Sequence, residues 1–465
     1  MLRAFGEFGE MQCRILDFVS HNGPTVGMHK LQWLRVLTLG AGVALAALSG
    51  ACQSAENYVD QLQAQPGNAS SIDDARASPL VSESDLPTQK LPPKDPHAFG
   101  IGAVLPLTGP RADSGNAMRT GLELAVAEIN AAGGINNQPI QLDVLDDQND
   151  LAMGAGALQQ LRDRGEAVLL VGDGALAIAG EKFLGDCPQL VCFLCDYVAA
   201  LKATPNNGLR IYLNGDEEVR VIADYLNTEA VTRIAIVHQN DYAGESHKQY
   251  FSYQFSSNHD IEVRDEAYAG SESDFSLLAK VFAGFKGGAL IMAGGGTEYP
   301  KILTAFDHTG WQGQVFGIAS VDGLAGLSAP TGLATTAGYP LPDYAANPRG
   351  TEAGRAFADA YHAKYGSDPA LPAAYAYDTL HGIALAAKQP MTNNPKVIRE
   401  SFIGLRTYTG AVGRYDIKDD GDTEMPLQLM HADGSALPPA VKPAEAAPVF
   451  QRSDVTAPGM TPGGH

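Results

Sequence analysis

Residues 99–105, FGIGAVL, form a short apolar run closed by Pro106, Thr108, Gly109 and Pro110. A run of that length bounded by turn residues predicts a buried strand. Residues 115–134 then place Met118, Leu122, Ala125 and Ile129 on one helical stripe, ended by Gly133 and Gly134. The same rhythm continues. Further strands are predicted at 140–145, 167–171, 190–194, 233–237, 261–268, 288–292 and 315–317. Further helices are predicted at 153–161, 244–257, 274–285 (with Ser273 as N-cap) and 297–309. Strands alternating with helices predict an α/β fold whose parallel sheets carry helices on both faces. In such sheets a ligand lies beyond the strand carboxyl ends.

The two ends of the chain break the rhythm. Lys30 and Arg35 precede a thirteen-residue uncharged run, 36–48, and then Ser49, Gly50, Ala51 and Cys52. A membrane span needs about 20 apolar residues, so the run fits the core of an export signal better. It resembles a bacterial lipoprotein signal, which implies that Cys52 becomes the acylated first residue. That reading stands ahead of a plainly cleaved signal and an uncleaved anchor. Leu48 lies four residues before the cysteine instead of the usual three. Glu7, Glu10 and Asp17 do not suit a signal, so Met28 is read as the start and 1–51 as the signal region. Residues 52–96 are rich in Ser, Pro, Asp and Gln and read as a disordered tether; residues 436–465, rich in Pro and Ala, read as a disordered tail.

Charge narrows the function classes. The chain carries 32 Lys and Arg against 53 Asp and Glu, a net of −21. Phosphate recognition needs clustered cations, so nucleic-acid binding is excluded.

Several stretches together resemble the leucine/isoleucine/valine-binding proteins, the type I periplasmic solute-binding proteins of ABC transporters. They are IGAVLPLTGPRADSGNAMRTGLELAVAEINAAGGI, LDVLDDQND, RIAIVHQNDYAGE, SESDFSLLAKV, the helical LPAAYAYDTLHGIALAAK and the terminal HADGS. The resemblance covers about 97–435. It implies two three-layer α/β lobes with parallel sheets, joined by a three-segment hinge, and a cleft that closes on a small solute. Lobe one would take 97–214 and 341–405, and lobe two 215–340 and 406–435.

The family's ligand site does not transfer residue for residue. Its carboxylate-binding loops correspond to GDGALAIAG (172–180) and FLCDYVAA (193–200), which contain no serine or threonine. A buried carboxylate needs donors; the backbone at Gly174 and Ala175 and the hydroxyls of Thr108 and Ser114 are the candidates. For the amine partner the resemblance offers only the candidate Asp322, about three positions later than the family's acid, with Ala319 in direct register. Tyr242 matches a cleft aromatic, and Gly294 to Thr297 replace a tyrosine-bearing loop. The candidate cleft set is therefore Thr108, Ser114, Asp173, Gly174, Asp196, Tyr197, Tyr242, Thr297 and Asp322. Asp322 also reads as a plain helix N-terminal acid, and Asp146 and Asp147 as solvated strand-end charges.

Three motifs mislead. Gly172-x-Gly174-x-x-Ala177 follows the third strand and has no ribose acid behind it, so it is not read as a nucleotide loop. Cys187, Cys192 and Cys195 have iron–sulfur spacing but lack a fourth ligand outside the signal region. A strand through 191–194 turns Cys192 and Cys195 to opposite faces. In an oxidising compartment Cys187 pairs with Cys192 or with Cys195. The scattered histidines, His238, His247 and His381, form no catalytic constellation. No enzyme activity, cofactor or metal is expected. The expected protein is a monomeric, periplasmic, lipid-anchored solute-binding lipoprotein, touching the membrane only by its anchor and delivering a small polar solute to an inner-membrane ABC permease. The alternative is a lipoprotein activator of a peptidoglycan synthase that uses the same fold for protein contact.

Overall fold

The computed structural model describes residues 87–195, 199–256, 260–285, 288–294, 298–318, 333–337, 351–388 and 391–431. The chain first runs β1 (Phe99–Leu105), α1 (Ala112–Ala131), β2 (Ile140–Asp146), α2 (Leu151–Asp163), β3 (Val168–Val171), α3 (Gly174–Ala179), α4 (Glu181–Gly185), β4 (Leu190–Phe193), α5 (Ala199–Ala203) and β5 (Gly208–Arg210). These strands pair in parallel in the order β2-β1-β3-β4-β5. It continues through α6 (Gly215–Thr228), β6 (Arg233–Gln239), α7 (Tyr242–Phe255), β7 (Glu262–Tyr268), α8 (Ser276–Val281), a 3-10 turn (Ala283–Phe285), β8 (Ala289–Ala293), α9 (Tyr299–His308), β9 (Gln314–Gly317) and β10 (Leu333–Ala337). Last come α10 (Glu352–Tyr365), α11 (Leu371–Lys388), α12 (Pro395–Gly404), β11 (Thr407–Thr409), β12 (Arg414–Ile417), β13 (Thr423–Glu424) and β14 (Gln428–His431). The second sheet has the order β14-β10-β9-β8-β6-β7. Its other pairs are parallel, but β14 joins β10 antiparallel, a departure from the all-parallel expectation.

Both sheets are covered on two faces, as their continuous apolar strands require. On β1, Phe99, Ile101, Ala103 and Leu105 face α1 and α11, while Val104 faces α2 and α3. Gly102 stands where a Cβ would lie 2.8 Å from Leu161, so α2 can sit close on the sheet. In the second sheet Ile234, Ile236 and Ile291 face α6 and α7, and Val237, Leu290 and Met292 face α8 and α9.

The chain crosses between the two cores three times. Leu213 belongs to the first core and Val219 to the second; β10 belongs to the second sheet and Phe357 to the first core; Met425 lies in the first core and Leu429 in the second. The three-stranded sheet β11-β12-β13 packs Val412, Tyr415 and Ile417 into the first core. The sequence reading gave 406–435 to the second lobe, but the passage falls nearer residue 427. A buried carboxylate fixes this sheet: Asp378 of α11 accepts from Ala411 N (2.6 Å), Val412 N (3.0 Å) and the Tyr415 hydroxyl (2.8 Å). Burial pushes Asp378 up to about 7 despite those three donors.

The expected tether is ordered over its last residues, 87–96, which form a strap along α2 and the edge strand β2. Gln89 Nε2 donates to Asp146 O (2.6 Å) and its Oε1 accepts from Asp146 N (3.1 Å), as a neighbouring strand would. Lys94 Nζ donates to the carbonyls of Arg164 and Gly165, and Leu91 packs into the core beneath α2.

One predicted helix is shorter than the pattern suggested. Residues 274–285 split into α8 and the 3-10 turn, which sets the Phe282 and Phe285 rings edge to face, 5.9 Å apart, in the core. Ser273 is not the cap; Asp274 Oδ1 accepts from Ser276 N (2.9 Å).

The structure holds Cys187, Cys192 and Cys195 as buried thiols, and the expected disulfide is not formed. Cys192 packs on the α1 face of the first sheet, Cys187 and Cys195 on the other, so the sheet itself separates Cys192 from Cys187. Burial raises the Cys187 thiol to about 11 and raises Cys192 further, which keeps both protonated and unreactive.

Two outcomes are expected. Alkylation of the folded protein at pH 8 leaves Cys187 and Cys192 unmodified until denaturant is added, as read by mass spectrometry. Asp378→Ala strands three buried donors and lowers stability by about 3 kcal/mol or more, measured by urea unfolding.

Candidate functional site

The strand carboxyl ends of the first lobe are organised by one carboxylate. Asp146, the last residue of β2, accepts from Leu107 N (2.9 Å), Thr108 N (3.2 Å), Thr108 Oγ1 (2.7 Å) and Gln148 N (2.8 Å). Asn149 Oδ1 accepts from Arg111 N (3.1 Å), which locks the loops after β1 and β2 together. Gly109 is required here: its φ is +87°, and a Cβ would lie 2.8 Å from Asn149 Oδ1. Asp146 is thus a structural acceptor and not the solvated charge the sequence suggested.

Asp147 departs further from that expectation. It is 2% exposed, and its Oδ2 is buried without a hydrogen-bond partner. Burial first, and the nearby Asp173 carboxylate second, push it up to about 8; the Asn149 N–H and Arg111 pull the other way.

Gly172 directly follows β3 and lies against α1. A Cβ there would lie 2.7 Å from Leu105 and 3.1 Å from Met118, so this glycine serves the packing of α1 on the sheet. Ser114 is one helical turn from Met118 on the same buried stripe, toward the strand ends. It is 3% exposed, and its Oγ has no partner. Asp173 is the N-cap of α3; its Oδ1 accepts from Leu176 N (2.9 Å), and its Oδ2 lies 3.7 Å from Arg111. Gly174 opens α3. Thr108 gives its hydroxyl proton to Asp146. Arg111 escaped the sequence reading, because nothing local marks a loop arginine as the partner of an aspartate 62 residues on.

In the second lobe Asp241 caps α7 through Gly244 N (2.9 Å), and Gln239 Nε2 donates to its Oδ2 (3.0 Å). The Tyr268 hydroxyl, at the end of β7, donates to Glu298 Oε1. Burial and then Glu298 hold that phenol well above its usual value. A Cβ at Gly294 would collide with the Tyr268 hydroxyl, so the glycine that replaces the family's tyrosine loop admits a phenol from β7, two strands away in the sheet. Helix α7, which begins at Tyr242, lies against α3, which begins at Gly174. The elements carrying these two candidates are therefore brought together across the lobes. Asp196, Tyr197, Thr297, Asp322 and Cys52 lie outside the described residues, as does the Tyr242 side chain.

Asp147 sets a pH dependence. Its folded value is raised, so its contribution is fully present below about pH 4 and is lost as pH rises through about 8. Asp147→Asn is expected to gain stability relative to wild type by about 1 kcal/mol or more between pH 5 and pH 8.5, measured as the change in urea midpoint at the two pH values.

The sequence profile described as "Periplasmic binding protein" matches residues 99–436. A relative from Brucella melitensis, "Leu/Ile/Val-binding protein homolog 1", is 25% identical over 359 residues, covering 71% of this chain and 89% of its own length. An "Amino acid binding protein" from Pseudomonas aeruginosa is 27% identical over 315 residues, covering 63% of this chain and 79% of its own. Among solved structures, the branched-chain amino acid transporter substrate binding protein LivJ of Streptococcus pneumoniae, in complex with isoleucine, superimposes with a TM-score of 0.61 at 22% identity, over 72% of this chain and 95% of its own. A solute binding protein from R. palustris in complex with benzoate gives 0.61 at 18% identity, over 73% and 95%. At these identities the solved structures establish the fold, the two-lobed type I form. The match over residues 99–436 establishes more: the chain belongs to the periplasmic binding protein family.

Proposed function

We propose that this chain is an exported solute-binding protein that captures a small polar solute between its lobes and hands it to an ABC permease. The observation that carries the reading is the pairing of two separately cored lobes, linked by three crossovers, with α3 and α7 meeting at the strand carboxyl ends. Ligands of open α/β sheets bind at such ends, and a lobe joined only through short segments rotates on a hinge. Among the described residues no helix is long and apolar enough to cross a membrane. Acylation at Cys52 would supply the attachment, and the protein would act as a periplasmic monomer.

The solute's chemistry is framed by what lines the first lobe. Ser114 offers a buried hydroxyl, Arg111 a cation and Asp173 an anion, in place of the hydroxyl-bearing loops of leucine binders. Amino acids, amides and related small carboxylates are the proposed class. Relatives named for Leu/Ile/Val binding and a fold neighbour bound to benzoate both lie within it. None of the relatives described above is named for synthase activation, so that alternative gains no support.

A thermal-unfolding screen with branched-chain amino acids, amides and aromatic carboxylates tests the reading. A true ligand at about 100 times its Kd stabilises by roughly 2.7 kcal/mol. Ser114→Ala should weaken the response by about tenfold, or about 1.4 kcal/mol, while leaving the unliganded midpoint near wild type. Arg111→Ala should weaken it and also lower that midpoint, because Asp173 loses its ion pair. If the whole panel produces no shift, the solute-binding reading fails.

A further inference from the structure

Two of the three crossovers are flanked by carboxyls that meet. Glu217 stands on the first turn of α6, just after the chain leaves the first core at Leu213, and α6 packs into the second core. Glu424 ends β13, just before the chain leaves the first core again after Met425. The two side chains are in hydrogen-bonding contact across this seam. Lys418, on the first-lobe side, lies 3.5 Å from Glu217 Oε1 and 3.4 Å from Glu424 Oε2; Arg220, on the second-lobe side, lies 3.8 Å from Glu424 Oε1.

Glu217 is 5% exposed, and its Oε2 is buried with no donor to accept from. The group it meets is a second carboxylate. Two carboxylates hydrogen-bond only by sharing a proton, so the seam holds one proton in this geometry. We propose that the Glu217–Glu424 pair is a proton-operated hinge latch, which favours the observed lobe arrangement while the proton is held and releases it on deprotonation. For its consequence, solute release as pH rises, this rests on the solute-binding reading above.

The surroundings agree in sign. Burial, the hydrogen bond with Glu424 and its charge push Glu217 up to about 8, against the pull of Lys418 and of the Met425 N–H. The hydrogen bond with Glu217, together with Lys418, holds Glu424 below the ordinary carboxylate value. On α6 the pair also has Asp216, Glu218 and Arg220 nearby. From α7, His247 Nε2 lies 3.8 Å from Glu218 Oε2. From β5, Arg210 pairs with Asp422 at 2.7 Å and donates to the crossover carbonyl of Leu213 (2.8 Å). Arg210 and Asp422 neutralise each other, so the unshared charge of the seam is that of the carboxyl pair, with Lys418 and Arg220. Because the latched geometry binds the proton more tightly than separated groups would, it is favoured below about pH 8 and lost as pH rises through that value.

The test needs no solute. Spin labels on α2 and α9 of the full chain report the interlobe distance by pulsed electron resonance from pH 6 to pH 10. The wild type should shift between two distance populations with a midpoint near pH 8. Glu217→Gln keeps the shape and supplies a permanent donor, so it should hold the acid-side distance across the whole range. Glu424→Gln, at a half-exposed position, replaces the repelling anion with a donor that the deprotonated Glu217 can accept from, so it should move the midpoint upward by at least one pH unit or hold the acid-side distance throughout. It also keeps the test open should the buried variant fold poorly. An unchanged distance in wild type, a wild-type midpoint in Glu217→Gln, or an unmoved midpoint in Glu424→Gln overturns the latch. A transition that persists in Glu217→Gln would belong to another group, such as Asp147, and would equally overturn it. Because no ligand is added, these outcomes are independent of the solute screen.

Discussion

One uncovered surface governs the architecture. The strands of the first sheet are apolar on both faces, and the segment that builds them covers one face with α2 and its short neighbours. On the other face α1 alone leaves Leu170, Cys192 and Leu209 to be covered, and α11 and α12 do so. Those helices come from beyond the second lobe, so burial of that face forces the chain to cross out, return and cross out again. Helix α11 suits the task because it is rich in alanine and meets α1 at very short range: a Cβ on Gly121 would lie 2.0 Å from Ala373 O. Asp378 then ties the three-stranded sheet to α11, and this sheet carries the last crossover. The hinge is thus a by-product of covering a core.

At the strand ends, polar groups divide between holding the protein and remaining available. Asp146 and Asn149 are consumed in fixing the loops after β1 and β2. Ser114 and Asp147 are not: each is buried with an oxygen lacking a partner. Leaving a polar group in that condition costs roughly 1–3 kcal/mol. Asp147 directly follows β2 and Ser114 stands in the first turn of α1, so both belong to the carboxyl-end side of the first sheet. The loops at 172–180 and 193–200 contain no serine or threonine, so membership in the family does not carry the family's ligand with it.

The sequence by itself determined the layered fold, because burial on both sides leaves a local signature. Runs such as 99–105 and 233–237 are apolar regardless of what covers them, and the stripe Met118, Leu122, Ala125, Ile129 has helical spacing. Helix α11 was legible through the resemblance of LPAAYAYDTLHGIALAAK to a family helix, and the opposed faces of Cys192 and Cys195 from the alternation of a strand. Tertiary structure decided what depends on partners distant in the chain. The strap at 87–96 is polar and proline-rich, and partners on β2, on α2 and just after α2 order it. The strands β11 to β13 are too short and too polar to declare themselves until Asp378 holds them. Asp147 and Glu217 look like ordinary surface acids in sequence; burial and a second carboxylate, 26 residues away for one and 207 for the other, make them proton-binding groups. Apolar burial is a property of each residue and can be read along the chain, whereas charge and hydrogen bonding belong to pairs that only folding assembles.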